Sequence, residues 1–116
     1  MNEEQHNLDV RREREPDVTI VHLAGEIDLR TSPQLRGEFL ELLDEKPARI
    51  ILDLTGVSYV DSSGVGTIVE LKRRAMRNKN TVVLVGLQPR VRSLFEITKL
   101  DKFFTITDSI DEARQA

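Results

Sequence analysis

Strand-length segments that are apolar on both faces are the feature that most restricts the fold of this chain. Ile50–Leu54 ("IILDL") and Thr81–Val85 ("TVVLV") consist largely of β-branched and aliphatic residues, and Val18–Ala24 carries apolar side chains on both parities. Strands of this kind are covered on both sides, which is typical of parallel sheets flanked by helices. The sequence therefore predicts an α/β protein.

Amphipathic helical patterns separate these strands. Residues 31–45, 65–76 and 88–97 repeat apolar residues at helical spacing, and Thr31 or Ser32 is placed to cap the first helix. The predicted order is β-β-α-β-α-β-α-β-α. Right-handed crossovers fold this order into a mixed, mostly parallel β-sheet that opens with a β-hairpin and carries about four helices. The outer predicted elements are hairpin strands at Leu8–Arg14 and Val18–Ala24, a last strand within 102–106 and a last helix within 109–116.

Length and charge restrict the class of protein further. The 116 residues correspond to one domain, in which we expect residues 1–7 to form a flexible N-terminal tail and residues 8–116 to fold. A formal net charge of −3 gives no general attraction to nucleic acid or anionic lipid, so neither is a predicted partner. The start of the chain is not a secretory signal, and no apolar run reaches membrane-spanning length. We therefore expect a cytoplasmic protein without direct membrane insertion.

The residue types that enzymes use are scarce in this chain. The lack of cysteine excludes thiolate metal sites and cysteine nucleophiles. The two histidines, His6 and His22, lie in the predicted tail and inside a predicted strand, so neither is placed as a catalytic base. The carboxylates do not have the spacing of a metal site. We predict that the chain is not an enzyme and has no catalytic residue, no cofactor and no metal.

Tyr59–Thr67 ("YVDSSGVGT") joins a predicted strand to a predicted helix. In a parallel sheet such junctions lie at the carboxyl edge, where ligands and partners bind. A nucleophile elbow would need glycines two residues before and after Ser63, where this chain has Asp61 and Val65. A Walker-type phosphate loop would need a lysine after Gly66, which is followed by threonine. The junction therefore does not match these catalytic motifs.

The two adjacent serines of the junction require another explanation. Asp61, Ser62 or Ser63 can cap the helix, and Gly64 and Gly66 can ease a tight turn. A helix start has a single N-cap, so the neighbouring serine is left as an exposed hydroxyl at the positive end of the helix dipole. Such a hydroxyl can accept a phosphoryl group.

Three segments together resemble a known family. They read "AGEID" at 24–28, "ILDLTGVSYVDSSGVGTI" at 51–68 and "VLVGLQPRVRSLFEITKLDKFF" at 83–104. Over residues 18–113 the chain resembles the STAS domains of bacterial anti-sigma factor antagonists, and the most specific element is D-S-S-G at Asp61–Gly64. The resemblance implies a single STAS-like domain whose helices pack mainly on one face of the sheet.

The resemblance also implies a function. The chain is expected to bind a cognate anti-sigma factor, itself a serine kinase, and so release a sigma factor. Phosphorylation of the first serine of the motif, Ser62, is expected to switch this binding off, and a serine phosphatase is expected to restore it. The protein is expected to be a monomer or a weak homodimer. STAS domains resembling this one also serve as non-catalytic scaffolds or accessory subunits of stress-signalling or membrane-transport complexes, and that alternative stays open.

The resemblance implies that Ser62 is the phosphate acceptor. Beside it, our hypothesis is that Ser63 is the helix cap and that Gly64 and Gly66 give clearance for a kinase active site. Asp28 is implied to lie near the same surface and to help recognition, although a turn-capping role explains it equally well. Exposed apolar residues such as Val65 or Tyr59 are the expected anchors. The predicted partner-binding set is Asp28, Asp61, Ser62, Ser63, Gly64, Val65 and Gly66.

Two positions depart from the family pattern. Gln88 occupies a helix-cap position where members often have serine, and Lys99 replaces a frequent glycine. Neither lies in the predicted site.

Overall fold

A computed structural model describes residues 8–116 of the chain. The predicted tail at 1–7 lies outside these described residues. None of the helices found between residues 8 and 116 has both the length and the apolar character that a membrane crossing requires.

Five strands form one mixed sheet. They are β1 (Asp9–Arg14), β2 (Val18–Ile27), β3 (Arg49–Val60), β4 (Thr81–Val85) and β5 (Thr105–Thr107). The strand order follows the chain order, with β1 and β2 antiparallel and all other neighbours parallel. The sequence prediction of a mostly parallel sheet that opens with a hairpin is confirmed, and β2 lies inside the sheet as its apolar pattern indicated.

Four helices cover the two faces of the sheet unequally. They are α1 (Ser32–Asp44), α2 (Ser62–Arg77), α3 (Pro89–Ile97) and the short α4 (Ile110–Gln115). The larger core cluster lies between the sheet and helices α1, α2 and α3. A smaller cluster joins α4 to the opposite face. The expectation of helices mainly on one face is therefore confirmed.

The second and third strands are longer than predicted. β2 was expected to end at Ala24 and the third strand at Leu54, but they continue side by side and pair as far as Ile27 and Val60. This extended pairing includes register irregularities between His22 and Ala24 and between Gly25 and Glu26.

The apolar run before β5 is not the predicted strand. Leu100–Lys102 forms a 3-10 turn, and β5 begins only at Thr105. Phe104 is buried and packs edge-on against Phe95, with ring centroids 5.6 Å apart. The two adjacent phenylalanines therefore close the end of the core instead of pairing as strand residues.

The two departures from the family pattern have local structural accounts. Lys99 follows α3 with φ 61°, in the left-handed region that glycine adopts most easily. Gln88 is the N-cap of α3 but makes no side-chain cap; its amide donates to the Thr55 carbonyl at 2.8 Å.

Candidate functional site

The junction between β3 and α2 is a single residue, Asp61. The strand ends at Val60 and the helix begins at Ser62. The Asp61 backbone N–H donates to the Ile27 carbonyl at 3.1 Å, which ties the start of α2 to the end of β2. The carboxyl ends of two neighbouring strands therefore fix the position of the helix N-terminus.

Asp61 is also the helix cap. Its Oδ1 accepts hydrogen bonds from the backbone N–H groups of Ser63 at 3.0 Å and Gly64 at 3.1 Å, and from the Ser63 hydroxyl at 2.6 Å. Burial raises the pKa of Asp61, but these bonds, with a further one from the Leu29 backbone N–H, outweigh it and hold the pKa below its ordinary value. The cap is therefore an ionised carboxylate. The prediction that Ser63 is the cap was wrong, because a carboxylate one residue before the helix accepts several donors at once.

The two serines have different environments. Ser62 is the first residue of α2 and is exposed, and within residues 8–116 its hydroxyl makes no hydrogen bond. Ser63 is half-buried, and its hydroxyl donates to Asp61 and lies 3.1 Å from the Ser32 Oγ. Only the Ser62 hydroxyl is presented to solvent without a competing partner.

Gly64 is required by packing within the chain. It is buried, and a Cβ there would lie 2.6 Å from Ile27 Cγ2 and 2.9 Å from Val60 Cγ1. Packing accounts for this glycine by itself, and clearance for a kinase at Gly64 stays a prediction. At Gly66 a Cβ would meet no atom within 4 Å, so clearance there stays a prediction.

Val65 is not an exposed anchor. Its side chain is 9% exposed and belongs to the main core cluster, so that prediction was wrong. Tyr59, the other predicted anchor, is 40% exposed on β3, two residues before the cap. Any apolar contact that the junction makes with a partner must therefore come from residues outside the first turn of α2.

Asp28 orders the turn between β2 and α1. Its Oδ1 accepts from the backbone N–H groups of Arg30 at 2.9 Å and Thr31 at 3.2 Å, and its Oδ2 lies 3.7 Å from the Arg30 guanidinium. The residue is 9% exposed. These contacts fit the turn-capping role left open from the sequence, and a role in recognition stays a prediction.

Two residues of this region were missed by the sequence analysis. Ser32, considered only as a cap for α1, contacts Ser63 although 31 positions separate them. Leu29 is 74% exposed in the turn after β2, and its backbone N–H interacts with the Asp61 carboxylate. Leu29 could have been noticed in the sequence because it is a large apolar residue that belongs to no predicted strand or helix. No local pattern indicates the contact of Ser32.

His22 lies away from this junction. It follows Ile20 by two strand positions and so shares the sheet face of α4, where Nδ1 lies 2.7 Å from Asp53 Oδ2 and Nε2 contacts Glu13. Burial lowers the pKa of His22, but its hydrogen bonds to Glu13 and Asp53 outweigh burial and raise it above its ordinary value. The sequence reading of His22 as a structural residue agrees with this ion-pair cluster.

Residues 9–113 match the family model of the STAS domain. The chain belongs to this family. Among the strands and helices described between residues 8 and 116, the match leaves out only the end of α4, and it includes Asp28 and the whole Asp61–Gly66 segment.

Several known proteins similar to this STAS domain are named as antagonists of anti-sigma factors. The anti-sigma-B factor antagonist of Listeria monocytogenes is 38% identical over 96 residues, which are 82% of this chain and 83% of that protein. An anti-sigma factor antagonist of known structure from Mycobacterium paratuberculosis superposes with a TM-score of 0.85 at 24% identity, over 93% of this chain and 92% of that one. The phosphorylated form of Bacillus SpoIIAA superposes with a TM-score of 0.73 at 22% identity, over 92% and 97% of the two chains. The two structures show that the fold is shared.

Proposed function

We propose that this STAS domain is an anti-sigma factor antagonist that binds an anti-sigma factor with serine kinase activity and is switched off by phosphorylation of Ser62. One observation carries the proposal: the first residue of α2 is an exposed serine whose hydroxyl is unengaged within residues 8–116, beside a helix cap that another residue already provides. The similarity to the Listeria antagonist supports the partner class.

The geometry suits Ser62 as the acceptor in phosphoryl transfer. The γ-phosphorus of ATP bound to the kinase forms a bond with Ser62 Oγ, its bond to the ADP oxygen breaks, and the hydroxyl proton passes to a base of the kinase. Ser63 is a poor acceptor because it is half-buried and its hydroxyl lies between Asp61 and Ser32, where a kinase active site has less access to it. This chain contributes no catalytic group, in keeping with a regulator that is a substrate and not an enzyme.

The phosphorylated state changes the surface more than the fold. The phosphoryl group adds about −1.5 to −2 charges at neutral pH. At a helix N-terminus this charge is favourable by roughly 0.3 to 1 kcal/mol, but here the ionised Asp61 already accepts the N–H groups of Ser63 and Gly64. The dianion therefore stands beside a carboxylate in a surface that a partner must desolvate. A loss of about 3 kcal/mol there is about a hundredfold in affinity, so binding is switched off.

The proposed switch is reversible. A serine phosphatase removes the phosphoryl group from Ser62 and restores binding to the anti-sigma factor, and both reactions take place in the cytoplasm, where sigma factors act. The protein works as a monomer or a weak homodimer, since one copy carries the whole surface around Ser62.

Affinity purification from the native cell tests the proposal. Captured proteins are identified by mass spectrometry, and the phosphorylation site is mapped with and without serine phosphatase treatment. The expected result is an anti-sigma factor kinase bound to the unphosphorylated chain and a single phosphate on Ser62. The Ser62→Ala variant should keep binding and lose phosphorylation, and Ser93→Ala, at an exposed serine of α3, is the control that should keep both. Ser63→Ala should still be phosphorylated on Ser62. A phosphate on Ser63 would contradict the site. A chain that never carries phosphate and purifies with a stress-signalling or transport complex would favour the scaffold alternative.

A further inference from the structure

Four large apolar side chains are exposed on the described surface. They are Leu29, Tyr59, Met76 and Ile97, and the exposed fractions of Leu29 and Ile97 are 74% and 77%. Single exposed apolar residues are common on soluble proteins, so exposure alone indicates no function. A functional role for one of these residues therefore has to be argued from its position in the fold and from how firmly its backbone is held.

The position separates these residues into two pairs. Helices α2 and α3 start at the carboxyl edge of the parallel strands and run back toward the opposite edge, so Met76 and Ile97, at or near their last turns, lie far from the junction. Tyr59 lies on β3, two residues before Asp61, and pairs in register with Glu26 of β2. Leu29 follows β2 at the same edge, two residues after Ile27, whose carbonyl accepts the Asp61 backbone N–H at 3.1 Å. Leu29 and Tyr59 therefore lie on the same edge as Ser62.

The turn that carries Leu29 is held by several hydrogen bonds on both sides of that residue. The Asp28 carbonyl accepts from the backbone N–H groups of Thr31 at 3.2 Å and Ser32 at 2.8 Å. The Asp28 carboxylate accepts from the N–H groups of Arg30 and Thr31, and the Thr31 hydroxyl donates to the Glu26 carbonyl at 2.9 Å. A turn ordered in the free protein loses little further entropy when its side chain is buried in a complex. Such a turn is suited to present an anchor.

The charged groups near Leu29 indicate which kind of partner surface is complementary to it. Glu26 and Arg30 are exposed, and the Asp28 carboxylate lies 3.7 Å from the Arg30 guanidinium. The backbone of Asp61 is bonded to the end of β2, so three carboxylates and one guanidinium surround Leu29 and leave a negative balance. An apolar side chain among these carboxylates is complementary to an apolar pocket with a basic rim.

From these observations we infer that Leu29 is the principal apolar anchor of this protein, and that it inserts into an apolar, basic-rimmed pocket of the anti-sigma factor kinase next to the kinase active site. The inference rests on the proposed function and gives to Leu29 the anchor role for which the sequence analysis had named Val65 or Tyr59. Because Leu29 and Ser62 both adjoin Asp61, docking of Leu29 places the Ser62 hydroxyl at the kinase, and a phosphoryl group on Ser62 prevents the same docking.

Calorimetric titration of the purified kinase, identified by the capture experiment above, tests this inference. Leu29→Ala should weaken binding by about tenfold or more, because a buried leucine contributes most of its transfer free energy to an interface. Leu29→Met, which keeps an apolar side chain of similar volume, should restore most of the affinity. Ile97→Ala is the matched control, since Ile97 is equally exposed at the other edge of the sheet, and it should bind within about twofold of the unchanged protein.

Phosphorylation kinetics give a second readout. In Leu29→Ala the KM of the kinase for this protein should rise while kcat on Ser62 stays close to its original value, because the anchor acts on binding. Equal affinities of Leu29→Ala and the unchanged protein would overturn the inference and leave the proposed function standing. Failure of the unchanged protein to bind any kinase would overturn both.

Discussion

Ser32 Oγ and Ser63 Oγ lie 3.1 Å apart and join the start of α1 to the first turn of α2. The Ser63 hydroxyl also lies 2.6 Å from Asp61 Oδ1, and the Ser32 hydroxyl lies 2.7 Å from the Asp28 carbonyl. The two serine hydroxyls have one hydrogen each, but they take part in three contacts. Since the Asp28 carbonyl already accepts the Ser32 backbone N–H, the Ser32 hydroxyl can turn to Ser63 without leaving that carbonyl unpaired.

We expect a measurable coupling between these two serines. In a double-mutant cycle of Ser32→Ala and Ser63→Ala, the free energies of unfolding should show a coupling of about 0.5–1.5 kcal/mol, the range of one hydrogen bond. Urea denaturation provides the measurement. Ser63→Ala combined with Ser93→Ala, at an exposed serine of α3, is the control and should be additive. Additivity of the Ser32 and Ser63 changes would show that their contact contributes nothing.

Gly64 and Gly66 should respond in opposite ways to alanine. Gly64→Ala places a Cβ 2.6 Å from Ile27 Cγ2 and 2.9 Å from the Ile27 carbonyl oxygen, so the end of β2 or the start of α2 must shift. We expect a loss of about 1–3 kcal/mol in the free energy of unfolding. Gly66→Ala meets no atom within 4 Å and should be neutral or stabilising by up to about 1 kcal/mol through helix propensity. Equal stabilities of the two variants in chemical denaturation would contradict the packing account of Gly64.

The Glu13–His22–Asp53 cluster should make stability depend on pH. The charged groups that act on His22 are Glu13 and Arg11 from β1 and Asp53 from β3. Because the folded pKa of His22 is raised, its contribution to stability is complete below its ordinary value of 6.5 and is lost as pH rises through the folded pKa. Burial raises the pKa of Asp53, but its hydrogen bonds to Thr55 and His22 lower it overall, so its contribution is present above 3.8 and is lost as pH falls through its folded pKa.

His22→Gln tests this pH dependence. The free energy of unfolding should fall for the unchanged protein as the pH is raised above 6.5, and this fall should be smaller in His22→Gln. His22→Gln keeps a hydrogen-bonding side chain and removes the titration. Identical pH profiles of the two proteins in denaturant titrations would show that His22 does not stay charged between its two carboxylates.

A negative charge at Ser62 should affect binding and leave the fold intact. In Ser62→Glu the carboxylate lies at the first position of α2, where the helix dipole and the nearby Asp61 have opposing effects, so we expect the free energy of unfolding to change by less than about 1 kcal/mol. Binding to the kinase should be lost, whereas Ser62→Gln, which has a similar shape and no charge, should retain part of it. Scanning calorimetry measures the stability of each variant, and titration calorimetry measures its binding to the kinase. Unfolding of Ser62→Glu under native conditions would contradict a switch that acts at the interface.

The sequence by itself determined the order of the elements, the mostly parallel sheet and the place of the junction between β3 and α2. These features follow from local patterns: apolar residues on both parities of a strand, helical spacing, and a polar break between them. The length of β3 was underestimated because its second half is stabilised by pairing with β2, which no local pattern of β3 reveals.

Tertiary structure alone decided which groups of the junction are free and which are committed. The family resemblance pointed to Ser62, but local pattern does not distinguish the hydroxyls of Ser62 and Ser63. In the fold, Ser63 is engaged by Asp61 and by Ser32, 31 positions away, and Ser62 is left exposed. Gly64 is required by Ile27, and Leu29 acquires its place beside Asp61 only because β2 and β3 end side by side. Hydrogen bonding and burial depend on residues that the folded backbone brings together, whereas propensity and periodicity depend on neighbours along the chain.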